Sequence, residues 1–393
     1  MISLAQISLR LAALVAACIV YGVAASPTPG DLGIAEIAIA VLLVIAVSPV
    51  KALQSVLQLQ RGSWATAGQV LFFYGITIPL IAGLGGGHDP VLILRDMIPF
   101  CFLLLPLFMQ GWRPDLRVVS AAVAFIGVAF GLRVVWPVFI VRGDFIGVGT
   151  DPLYLSIAPT ISFAAILCAG TAGMLLYRDL SLRNVILAGI LGACAVLPFA
   201  AMVITLQRAG IGLSILALMV LLSIGIWRKP TRASAPLLPV LLLALFFLPV
   251  MTDVADSLLH KQILVGNNNR LQEAEVVFDS VSASPLMVLF GKGWGTTLAD
   301  PAVGGVVVNY THNIFTTYLL KTGLAGLLLL VLYLYGLCRP LLGLLRANPL
   351  ITLALGVPLV IDLTLYASFK SLDFGLILLL AMLWAQKLRE NPA

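Results

Sequence analysis

Only three imidazoles, His88, His260 and His312, occur in 393 residues, and none has acids or cysteines at a spacing that builds a local metal motif. His312 stands in Tyr310-Thr311-His312-Asn313, where a long polar stretch gives way to an apolar one. An ordinary imidazole, with a pKa of about 6.5, is mostly neutral at pH 7 and fit to take a proton; the competing reading is a structural histidine. Arg95, Arg133, Arg208 and Arg270 lie near the ends of apolar runs or at the start of polar ones. Guanidinium groups in such places suit two roles, pairing with a neighbouring acid (Asp96 beside Arg95) or bidentate binding of phosphate oxygens. Two patterns promise more than they deliver. Glu273-Ala-Glu275 resembles an acidic metal motif, but positions i and i+2 of a helix point about 200° apart, so no metal site is expected there. Gly291-Lys292-Gly293-Trp294-Gly295 lacks the spacing of a P-loop or a dinucleotide fingerprint and reads as a tight turn.

The elements that must position these residues are membrane spans. The chain is 61% hydrophobic and 10% charged, with mean hydropathy +1.09. Its apolar residues suffice for about twelve helices of roughly 20 residues each. The runs are near-continuous rather than alternating, which excludes a soluble fold, disorder and a membrane β-barrel. Spans are expected near 7–25, 32–50, 67–84, 92–109, 117–135, 157–176, 184–204, 209–227, 237–252, 313–336, 350–368 and 372–387. With the N-terminus inside, every inner connection is basic: Lys51 and Arg61, Arg113 and Arg117, Arg178 and Arg183, Arg228 to Arg232, Arg339 and Arg346. Only Asp115, Asp179 and Glu390 oppose them on that side. This meets the positive-inside rule and puts both termini in the cytoplasm. The net charge of +6 is therefore a topology signal and calls for no nucleic acid. Residues 10–26 mimic a signal peptide, but the charge pattern needs them as a retained span. The five cysteines suggest neither a disulfide framework nor a zinc site.

The chain reads as a single integral membrane domain, 1–393, with one large outer loop, 253–312, between spans nine and ten. Within that loop, residues 268–279 read as an amphipathic helix with Asn269 as its N-cap, and Leu271, Ala274, Phe278 and Val281 recur at helical spacing. Ser284-Pro285 and a strand-like apolar run follow, then the glycine turn. A smaller outer excursion, 136–156, carries Arg142. Lys321 and Asp362 fall at similar depths in consecutive spans, so an ion pair between them is expected, because an isolated charge at such a depth is costly.

Taken together, these residues look familiar. His312-Asn313 followed by Gly323-Leu324-Ala325-Gly326 is similar to the HN…GxxG signature of the O-antigen ligase/polymerase superfamily. The glycine turn 291–295, Arg270 and Gln207-Arg208-Ala209-Gly210 resemble further elements of that family, in the same order, over roughly residues 200–340. The resemblance implies an all-α, GT-C-like bundle in the bacterial inner membrane, and a glycosyltransferase facing the periplasm. Such an enzyme moves a glycan from undecaprenyl pyrophosphate to a hydroxyl of lipid A–core, with no metal or cofactor. Carried over by position, Arg208 and Arg270 would hold the pyrophosphate and His312 would activate the acceptor hydroxyl. Arg95, Arg142 and Asn313 are second-tier contacts, and Lys321 inside the HN…GxxG stretch departs from the pattern.

Two alternatives stand beside the ligase. A polymerase of the same superfamily would join repeat units while both partners are lipid-linked. A secondary transporter would need repeated halves and midplane charges; the loop after span nine breaks a six-plus-six division, and only Lys321 and Asp362 would serve it.

Overall fold

A computed structural model describes residues 4–27, 33–58, 64–140, 150–232 and 270–390. Helices α1 (Leu4–Ala24), α2 (Ile34–Val47), α3 (Pro49–Leu57), α4 (Trp64–Gly75), α5 (Ile78–Gly85), α6 (Pro90–Leu103) and α7 (Leu105–Phe108) come first. They are followed by α8 (Leu116–Ile140), α9 (Thr150–Ser156), α10 (Pro159–Arg178), α11 (Leu182–Ile204) and α12 (Arg208–Arg228). After the undescribed stretch come α13 (Arg270–Ser282), α14 (Pro285–Phe290), a hairpin of β1 (Leu298–Asp300) and β2 (Val306–Val308), and α15 (Ile314–Cys338). The described chain closes with α16 (Pro340–Ala347), α17 (Pro349–Thr364) and α18 (Leu372–Glu390).

Six helical stretches are long and apolar enough to cross a membrane: Trp64–Gly85, Leu116–Pro137, Pro159–Arg178, Leu182–Ile204, Arg208–Arg228 and Ile314–Ala347. The pair α2 and α3, bent by 58° at Ser48, makes a seventh if taken as one span. Leu9–Ala24 and Pro349–Thr364 are shorter apolar helices. The expected ninth span, 237–252, and the first part of the expected loop, with Asn269 and His260, lie outside the described residues, as does Arg142. Valine, leucine and isoleucine side chains stand exposed along α2, α11 and α12, a surface that only lipid makes stable. The chain is an all-helical membrane protein.

The helix α18 explains how the bundle is held. It is buried on every side from residue 372 to 383, as a helix apolar all round must be. Its one acid there, Asp373, accepts hydrogen bonds from Tyr21 Oη (2.8 Å) and Thr160 Oγ1 (2.8 Å), so α1 and α10 are tied to the centre. Arg10 donates to the carbonyls of Ala46 (2.7 Å) and Val47 (3.2 Å), satisfying groups freed at the α2–α3 bend. Arg133 likewise donates to the carbonyls of Gly22 (3.2 Å) and Ala25 (2.6 Å) at the end of α1.

Three sequence expectations are corrected. In α13 the buried face is Glu273, Val277 and Val281, while Leu271 and Phe278 are exposed. The helix is rotated from its apolar register because Glu273 has a buried partner that the pattern could not reveal. The strand-like run after Ser284-Pro285 is the helix α14, capped by Ser284 with proline in its first turn. Lys321 does not pair with Asp362. Its ammonium is hydrogen-bonded to Asp96 of α6, and Asp362 instead accepts from Ser368 in the 3-10 turn Ala367–Lys370. Helices consecutive in sequence were assumed to be the neighbours that matter, whereas α15 packs chiefly along α4.

Candidate functional site

The frame of the site is a break in α15. Gly323 has φ +64° and ψ −170°, a conformation open essentially to glycine alone, and a Cβ there would lie 2.4 Å from the Leu289 carbonyl oxygen. The carbonyls that this break frees are taken up by the glycine turn: Lys292 N donates to Leu320 O (2.9 Å) and Gly293 N to Lys321 O (3.0 Å). Trp294 N in turn bonds Pro79 O (2.9 Å), and its indole N–H bonds Gly75 O (2.7 Å). Asp96 completes the joint, accepting from Gly295 N (2.6 Å), Asn309 Nδ2 (3.4 Å) and the Lys321 ammonium. The lysine that departs from the family pattern thus holds the loop to the bundle.

On this joint sits the turn that carries His312. Asn313 is the N-cap of α15, its side-chain oxygen accepting from Phe315 N (2.8 Å). Thr311 Oγ1 bonds Thr316 (2.6 Å) and Thr317 (2.7 Å) and stiffens the turn. His312 is held from the other side by Glu273: Glu273 Oε1 lies 2.8 Å from His312 N and 3.2 Å from His312 Nδ1. Asp300, at the end of β1, brings Oδ2 to 3.6 Å from the same Nδ1. Both carboxylates are buried, and the His312 side chain is 25% exposed. Burial pushes the Glu273 carboxyl up, but hydrogen bonds from the His312 side chain and backbone outweigh it and hold the group below its ordinary range. Asp300 goes the other way, raised by burial and by the charge of Glu273, against a bond from Ala302 N.

The surroundings are aromatic and cationic. The ring of Tyr310 meets that of His312 edge-on, centroids 6.3 Å apart. Burial raises its phenol to about 12, helped by Tyr154 of α9 and by Asp300 and Glu273. The Lys370 ammonium sits 3.1 Å from the Tyr310 ring centroid. Burial, with the charges of Lys321 and Arg95, lowers Lys370 to about 7 despite Asp96. Arg270 opens α13 one turn before Glu273, on the same side of the helix; its Nε is buried with no hydrogen-bond partner among the described residues. Arg208 opens α12 after a tight turn in which Leu206 takes a left-handed φ of 54°. Both guanidinium groups act electrostatically on the hydroxyl of Tyr366.

Of the residues singled out in the sequence, the structure bonds His312 to Glu273, which follows Arg270 by three residues on α13, and the charges of Arg208 and Arg270 both bear on Tyr366. Arg95 is exposed on α6 and bears on Lys370. His88 is structural, its Nδ1 bonded to the Trp294 carbonyl (2.8 Å). Sequence reasoning missed Glu273 as a partner of His312, together with Asp300, Tyr310, Tyr366 and Lys370. Glu273 had one available signal, its place three residues after Arg270 on a common helix side. Glu273, Asp300 and His312 offer ligand atoms within 4.8 Å of one another, a donor set that suits a cation; Glu275 is no part of it. Chemically, the arrangement presents an imidazole backed by a carboxylate, which suits deprotonation of a hydroxyl.

Residues 193–331 match a family model described as O-antigen ligase. Neither the curated proteins nor the solved structures give a match to this chain. The matched stretch, about a third of the chain, holds Arg208, Arg270, the glycine turn, His312, Gly323 and Gly326, and over it the protein is similar to the O-antigen ligase family.

Proposed function

We propose that this protein transfers a glycan from undecaprenyl pyrophosphate to a hydroxyl of lipid A–core at the periplasmic face of the inner membrane. The observation that carries the reading is the bond between His312 and Glu273, an acid three residues after Arg270 on α13. The acceptor hydroxyl attacks the anomeric carbon and gives its proton to His312. The bond from that carbon to the pyrophosphate oxygen breaks, and undecaprenyl pyrophosphate leaves with the electron pair. Arg208 and Arg270 hold the leaving diphosphate, whose growing charge fixed guanidinium groups stabilise without reorganisation. On this reading the chain is one membrane domain of about twelve spans, with a large periplasmic loop at 253–312 and Arg95 and Arg142 as second-tier contacts.

The test is reconstitution with undecaprenyl-pyrophosphate-linked glycan and lipid A–core, following both lipids by gel and mass. Glycan is expected on lipid A–core, and none with His312→Ala. Arg208→Lys should lose most of the activity, because an ammonium cannot reproduce a bidentate fork. Longer glycans still attached to undecaprenyl pyrophosphate would make the protein a polymerase. No change in either lipid, together with proton-coupled uptake abolished by Asp362→Asn, would make it a transporter.

A further inference from the structure

We propose that Glu273 is the positioning residue of His312: it takes the imidazole Nδ1–H, fixes the tautomer that leaves the Nε2 lone pair free, and compensates the imidazolium when Nε2 takes a proton. The inference deepens the transfer reading above and rests on it for the identity of the proton.

The argument begins with one oxygen. Glu273 Oε1 is 2.8 Å from the backbone nitrogen of His312 and 3.2 Å from the ring nitrogen Nδ1 of the same residue. A backbone N–H can only donate, so Oε1 is an acceptor in this contact. A bare Nδ1 facing that oxygen would set lone pair against lone pair, so Nδ1 must carry the hydrogen. The neutral ring then has its lone pair on Nε2, the nitrogen left free by both carboxylates. The backbone bond adds precision, because it holds the carboxylate to the same residue whose ring it orients.

Asp300 supplies the second part. Its Oδ1 accepts from Ala302 N (2.8 Å), while its buried Oδ2 accepts no hydrogen bond among the described residues and lies 3.6 Å from Nδ1. Two ionised carboxylates against one imidazole would repel each other in a buried place. A single proton kept on Asp300 and directed at Glu273 removes the conflict. The pair then carries one negative charge, which matches the one positive charge the ring acquires. The other groups facing the ring are Tyr310, with Lys370 over it and Tyr154 bonded to it, and Arg270 one turn back on α13. None of them offers a second anion.

The test uses the full-length protein labelled with nitrogen-15 histidine in detergent, its His312 signal assigned by its loss in His312→Ala. Above neutral pH the wild type is expected to show the Nδ1-protonated tautomer, and Glu273→Ala a mixture of both. His88, bonded to the Trp294 carbonyl, reports in each sample that the fold is intact. In the transfer assay Glu273→Gln, which keeps shape and loses charge, should lower kcat by about 10²-fold with the donor KM within twofold. Asp300→Asn, which imitates a protonated carboxyl, should lose less than Glu273→Gln. An Nε2-protonated ring in the wild type, a metal-bound Nδ1 signal that a chelator abolishes, or full kcat in Glu273→Gln would each overturn the proposal. A correct tautomer together with unimpaired transfer by His312→Ala would instead bring down the catalytic reading and leave the dyad as architecture.

Discussion

At the scale of the residue, the site separates what spacing reveals from what only folding reveals. His312, Arg208 and Arg270 could be picked out because each belongs to a run of neighbours that resembles a family pattern. Glu273 was harder to see, since its partner lies 39 positions away and its one signal, the spacing from Arg270, names no partner. Its displacement gives a pH dependence with a definite sign. A carboxyl held below its ordinary value stabilises the fold fully above about pH 4.3, and that stability is lost as pH falls through the folded-state value. Thermal unfolding of the detergent-solubilised protein should therefore fall more steeply below about pH 4.3 in the wild type than in Glu273→Gln. Equal slopes would mean that the Glu273 contact does not bear on stability.

At the scale of the element, the helices were legible and their breaks were not. Apolar runs announce spans through composition alone, whereas the bend at Ser48 and the interruption at Gly323 depend on which carbonyls find donors elsewhere in the molecule. Gly323→Ala should cost about 1–3 kcal/mol in backbone strain, and a Cβ pressed on the Leu289 carbonyl should add to it. Earlier thermal unfolding and faster proteolysis of the segment 285–312 are the expected signs. The Lys321–Asp96 pair gives a second test. Asp96→Asn leaves a buried ammonium without its counter-charge, which costs about 3–5 kcal/mol. The double variant Asp96→Asn/Lys321→Met should recover part of that loss, and denaturation in mild detergent would measure both. Pairing Lys321 with Asp362 instead was the natural reading of two consecutive spans, and it failed because depth in a bundle says nothing about azimuth.

At the scale of the molecule, the membrane character was readable from composition, and the cap's attachment to the bundle was not. That attachment runs through Trp294, Asp96 and Lys321, residues with no common motif and separated by up to 225 positions. The proposed orientation is open to direct measurement. Cysteines placed at Asp279 and at Arg113 in a background without the five native cysteines should react with an impermeant maleimide in intact spheroplasts at the first position and only after lysis at the second. The reverse pattern would place the site in the cytoplasm and end the periplasmic reading.

The central place of α18 bears on how the protein is made. Tyr21 and Asp373 meet across 352 residues, and Thr160 and Asp373 across 213. On a ribosome, then, α1, α8 and α10 enter the bilayer long before the helix they surround. Until α18 arrives, the middle of the bundle is a vacancy lined by unpaired hydroxyls that the partly built protein must fill with lipid or with the insertion machinery. The same event delivers Lys370 to Tyr310, so that contact forms only as the centre is filled. Premature termination before residue 372 therefore removes the pillar of the bundle and leaves only its walls.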